Sequence, residues 1–121
     1  MEIHGREIHF RRTVLGNCEI AELCPGKDIN KFTELIQGDY STAQKAAAAF
    51  IVAMNKGYEM AMAFDDPGHK AKPVTLEEVL LLDNDTFNEL FEEALKVFAD
   101  DGKTTVDAEP VKGKNASGDN L

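Results

Sequence analysis

The chain has no tryptophan and only two tyrosines, so it lacks the aromatic platforms on which single-stranded nucleic acids stack. Basic residues are also scarce: 13 stand against 22 acidic ones, a formal net charge of −9. A field of that sign repels phosphate backbones and anionic lipid, so no nucleic-acid or membrane partner is expected. Cysteine is limited to Cys18 and Cys24, too few for a disulfide framework. Six residues apart on a helix they fall on different faces, and both are expected to be reduced and mostly buried as small hydrophobes. The longest apolar run, Ala46 to Met54, falls far short of the ~20 residues that span a bilayer. Met1 to Arg6 lacks the basic start and apolar stretch of a signal peptide. A soluble, intracellular protein is expected. No Gly-x-Gly-x-x-Gly, P-loop, Gly-x-Ser-x-Gly or Cys-x-x-Cys occurs, so neither a cofactor nor a catalytic site is expected.

What is present suffices for one core: 121 residues, 43% of them apolar, make one domain and not two. Met1 to Arg12 reads as a β-hairpin. A type II′ turn at Gly5-Arg6 would pair His4 with Glu7 and Ile3 with Ile8, placing Met1, Ile3, Ile8 and Phe10 on one apolar face. A helix is predicted from about Val14 to Cys24, with Leu15, Ile20, Leu23 and Cys24 inward, ended by Pro25-Gly26. Asp28 caps a short helix carrying Ile29, Phe32, Leu35 and Ile36, closed at Gly38.

Ser41 and Gln44 form a capping box for the longest helix, to about Ala63. Its stripe is Ala43, Ala47, Phe50, Met54 and Ala61, widened by Ile51, Val52, Met60 and Met62, as suits a central helix. After a loop at residues 65–73, Thr75 and Glu78 form a second capping box, with Val74 and Val79 as a hydrophobic staple. That helix should end near Leu82. Caps among Asp83, Asn84 and Asp85 open the last helix, with Phe87, Leu90, Phe91, Ala94, Leu95 and Phe98 as its stripe and Asp100-Asp101-Gly102 as its stop. The expected fold is mainly α (α+β): an N-terminal β-hairpin and a compact bundle of about five helices over residues 1–101, followed by a disordered polar tail at 102–121.

Three constellations invite a chemical reading. Asp65, Asp66 and His69 share a loop, but Asp-Pro-Gly is ordinary turn chemistry and the spacing matches no metal motif. His4 and His9, read as diagonal neighbours on the wet face of the hairpin, would supply only two ligands, and alternating His, Glu and Arg is what a solvated face looks like. The third is acidic: Thr75 to Asp101 holds nine acidic residues and one lysine. Such a stripe is either a solvated face or a surface that meets a basic or amphipathic partner.

The order of parts resembles that of the tail assembly chaperones of long, flexible-tailed bacteriophages of Gram-positive bacteria. The likeness runs through the hairpin Ile3-His4-Gly5-Arg6-Glu7-Ile8-His9-Phe10, the helix Asn17-Cys18-Glu19-Ile20-Ala21-Glu22-Leu23, an alanine-rich central helix, the pair Thr75-Leu76-Glu77-Glu78-Val79 and Phe87-Asn88-Glu89-Leu90-Phe91, and a polar tail. It spans about residues 1–101 in layout. The resemblance implies a viral or prophage protein of the host bacterial cytoplasm, left out of the mature virion. Its partner would be the tape-measure protein, with the tail tube protein as a second candidate; self-association is left open. The residues singled out for partner contact are Glu89, Glu92 and Glu93 on the acidic stripe and Met54, Met60 and Met62 on the central helix. Such chaperones are often made in two lengths by frameshifting. Gly113-Lys114-Asn115 can be encoded as GGA AAA AAC, which contains the slippery heptamer A AAA AAC and marks Lys114 and Asn115 as the candidate position. The competing readings are a structural minor tail or head–tail connector component, and a small enzyme built on Asp65, Asp66 and His69.

Overall fold

A computed structural model describes the backbone of residues 1–103 and the side chains of residues 1–100. Two short antiparallel strands, β1 (Glu2–Ile3) and β2 (Arg6–Glu7), precede five α-helices among the described residues: α1 (Val14–Leu23), α2 (Phe32–Ile36), α3 (Tyr40–Asp65), α4 (Leu76–Leu80) and α5 (Asn84–Lys103). Single turns of 3-10 helix at Pro25–Lys27 and Ile29–Lys31 join α1 to α2. The hairpin-plus-bundle architecture expected from the sequence is the one observed.

The hairpin differs in register. Glu2 pairs with Glu7 and Ile3 with Arg6, which puts the turn at His4-Gly5, both with positive φ, 49° and 79°. Positive φ at both central residues is the signature of a type I′ turn, whose twist suits the flanking strands, and His tolerates it better than most side chains. The pairing moves by two residues, so the faces are kept: Ile3 and Ile8 are both buried, while Met1 and Phe10 are only partly so. His4 and His9 are not diagonal neighbours in this register. His9 instead lies against Tyr58, ring centroids 5.0 Å apart.

Helix starts follow local chemistry. Thr13 caps α1, accepting from the Gly16 amide at 3.0 Å. Asp28 accepts from Asn30 N at 3.0 Å, and Asp83 from Thr86 N at 2.8 Å. The Thr75–Glu78 capping box forms in both directions. Ser41 does not cap α3. Asp39 does, accepting from Thr42 N at 3.1 Å, and a carboxylate there also faces the positive end of the helix dipole. These hydrogen bonds hold the carboxyls of Asp39, Glu78 and Asp83 below their ordinary values, the main cause in each case being the backbone amide of Thr42, Thr75 and Thr86 respectively. Two helix ends run on: α3 continues to Asp65, and α5 passes Gly102 to Lys103. Residues 104–121, which hold most of the expected disordered tail and the candidate frameshift position at Lys114 and Asn115, lie outside the described residues.

α3 is the axis of the molecule and touches α1, α2, α4 and α5. Ala46, Ala47, Ala48, Phe50, Ile51, Ala53 and Met54 are all buried on it. Phe50, fully buried, stacks on Phe32 with centroids 4.8 Å apart and meets the edges of Phe91 and Phe98 at 5.8 and 5.3 Å. α1 meets α3 through Gly16, where a Cβ would stand 3.1 Å from the Ala53 carbonyl oxygen. That close approach turns Gly16, Ile20 and Cys24 inward and leaves Leu15 and Leu23, expected inside, at 41% and 37% exposure. Cys18, also expected inside, is exposed, while Cys24 is buried and burial pushes its thiol up.

The segment between hairpin and α1 lies across α3. Arg11 N donates to the Met54 carbonyl at 3.2 Å. The crossing point is Gly57, where a Cβ would stand 2.6 Å from Thr13 Oγ1 and 2.8 Å from the Arg11 carbonyl oxygen. Alanine in mid-helix is worth about 1 kcal/mol over glycine, yet here it collides with backbone and with a hydroxyl committed to capping α1. Gly57→Ala is therefore expected to cost a net 1–3 kcal/mol or so, an overpacking penalty that outweighs propensity. A rise in the urea midpoint would mean that the crossing segment yields.

Candidate partner-binding surface

Two polar side chains on α3 organise the surface by tying loops down. Asn55, fully buried, donates through Nδ2 to the His9 carbonyl at 2.9 Å and accepts through Oδ1 from Val74 N at 2.8 Å. One turn on, Glu59 is 6% exposed and holds His69 Nε2 at 2.9 Å and Lys72 N at 3.1 Å. The hairpin joins the same loop through the Arg6 guanidinium, which donates to the Lys72 carbonyl. Asn55 and Glu59 escaped the sequence reading, because their partners lie far away in the chain.

The Asp65, Asp66 and His69 trio does not converge. His69 turns to Glu59, Asp66 closes a turn by accepting from Gly68 N at 2.9 Å, and Asp65 stands 3.9 Å from Arg11 Nη1. Among the described residues no three His, Cys, Asp or Glu side chains gather as a metal would need.

The residues expected at a partner surface separate. Glu89, Glu92 and Glu93 are exposed on α5. Glu93 lies 3.7 Å from the Met1 ammonium, which also donates to the Glu7 carboxylate and holds the Glu7 carboxyl below its ordinary value. Met54 is fully buried and belongs to the core. Met60 is 45% exposed, and Met62 is half-buried.

The stripe on α3 read from the sequence stopped at Ala61. Counted at its own alternating spacing of four and three, it runs Ala43, Ala47, Phe50, Met54, Gly57, Ala61, Phe64. Its first part is covered by other helices, and Gly57 by the crossing segment. Beyond that the cover ends, and Phe64 is 90% exposed. A groove of about 350 Å³ opens there, lined by Arg11, Thr13, Leu15, Gly57, Met60, Ala61, Phe64 and Asp65. Next to Leu15 in the chain, Val14 is 79% exposed. A second exposed apolar set, Leu76, Leu80 and Leu81, lies on and just after α4. An unpaired aromatic at the end of a stripe was the available signal for the groove, and only the extent of the cover gives it meaning.

Among the described residues no helix is long and apolar enough to cross a membrane. Compared with known proteins, the chain matches no family profile, no curated protein and no solved structure.

Proposed function

We propose that this protein is a phage tail assembly chaperone, which binds the helical tape-measure protein in the host cytoplasm and keeps it soluble until the tail tube closes around it. The observation that carries the reading is the α3 stripe, which outruns its own cover and ends in an exposed Phe64 beside a groove. Isolated exposed apolar residues are unremarkable, but an exposed aromatic beside a groove, with Val14, Leu15 and Met60 exposed nearby in the fold, supports a reading as an interaction site. A net charge of −9 keeps a chain with such a face in solution while it is free. The layout of the parts resembles that of these chaperones, and the acidic residues Glu89, Glu92 and Glu93, all exposed, would speed encounter with a basic or amphipathic client.

The test is co-expression with a tape-measure protein that is insoluble by itself. The expected result is a soluble complex whose association slows with added salt, and slows further when Glu89, Glu92 and Glu93 are reversed to lysine. A client that stays insoluble in the presence of this protein sinks the reading. So does finding the protein as a stoichiometric part of purified particles, which is the behaviour of a minor tail or connector component.

A further inference from the structure

We infer that the groove between α1 and the last two turns of α3 takes about two turns of an amphipathic helix, with basic residues flanking its apolar stripe. This rests on the chaperone reading for the source of the helix, and on the groove for its chemistry. From Gly57, where the crossing segment closes one end, to Phe64 the lining follows one line of α3, about 10 Å at the helical rise per residue. A partner helix laid in it would present apolar side chains at i, i+3 or i+4, and i+7, the usual mode of helix-in-groove recognition. Leu15 of α1 joins this α3 lining, and Met60, unbranched and half-exposed, adapts to what enters.

Charge chooses the occupant. Asp65 is the last residue of α3 and Asp66 its C-cap; both are exposed and stand at the negative end of the helix dipole. Of the groove lining only Arg11 is basic, and it faces Asp65. Against that one cation the rim sets two carboxylates, Asp65 and Asp66, so it stays net negative and a basic flank on the incoming helix is complementary to it. A second copy of this chain would bring the same two aspartates and a net charge of −9 against their like.

The probe is a labelled synthetic helix of about 14 residues, nearly four turns, with leucines at the stripe positions and lysines beside them. Its control has the same composition in scrambled order. Binding is followed by fluorescence anisotropy. Phe64→Asp, a change at a residue outside the core, should weaken binding of the patterned peptide by tenfold or more, as loss of an aromatic anchor does, with the thermal melt unchanged. Leu81→Asp, at an apolar residue 72% exposed elsewhere on the surface, should leave binding as it was. Equal affinity for both peptides, or equal loss in the two variants, overturns the proposal. So does a dimer of the free protein that Phe64→Asp dissociates, since the occupant is then a second copy. If the Phe64→Asp protein still solubilises a tape-measure client, the groove proposal falls and the chaperone reading stands. If the peptide binds as described and the client stays insoluble, the reading falls and the groove stands.

Discussion

Replacing Asn55 by alanine should destabilise the protein by about 2–4 kcal/mol, although it removes only a small polar side chain. The loss comes from what is left behind. The His9 carbonyl and the Val74 amide, now bonded to Asn55 at 2.9 and 2.8 Å, would both be stranded beside a residue with no exposure to solvent. A buried polar group without a partner costs about 1–3 kcal/mol; the Val74 amide would bear that in full and the part-buried His9 carbonyl a smaller share, both on one substitution. Domains of this size have only about 5–15 kcal/mol of stability in total, so a large share of the reserve would go. The check is a urea titration with an unchanged slope and a lower midpoint. A loss below about 1 kcal/mol would show that water enters and takes over both bonds.

Phe50→Ala is expected to cost about 3–5 kcal/mol, the range for removing a large ring from a core. Phe50 is fully buried and its ring is in contact with three others, Phe32, Phe91 and Phe98. These come from α2 and from two positions about two turns apart on α5, so one truncation loosens α3 from two neighbours together. Phe98 is also held from outside: the Arg12 guanidinium lies 3.7 Å from its ring centroid and donates to its carbonyl at 3.0 Å. That anchorage keeps the neighbours from closing on the void, which places the cost toward the upper end. Thermal melting of the variant checks it, and a Tm within a few degrees of the parent would mean that the aromatic cluster repacks.

Local chemistry was legible in the chain. The Thr75–Glu78 box, the cap at Asp28, the span of α1 and the stripe of α5 each depend on residues within a turn or two of one another, and each is observed. Long-range choices were not. Which face of α1 turns inward is decided by how closely Gly16 lets it approach Ala53, so Leu15 and Leu23 emerged at the surface. The hairpin register depended on whether Gly5 came second or first in the turn, and alternation is blind to a shift of two. Met54 and Phe64 sit on one apolar line and look alike in sequence; the first is in the core and the second outside it because the Arg11 to Thr13 segment crosses at Gly57. Asn55 looked like one more polar position on a long helix. Its partners are 46 and 19 residues away, and no window along the chain contains them.

The alanine run of α3 makes the role of Asn55 larger than its two bonds. Ala46, Ala47 and Ala48 are buried, and a surface of methyl groups has neither deep holes nor tall knobs to oppose sliding. Hydrogen bonds do not tolerate sliding. Only one longitudinal setting brings the His9 carbonyl and the Val74 amide to the same side chain, so the two segments that carry them are held to α3 in a single phase by a polar pin added to the packing.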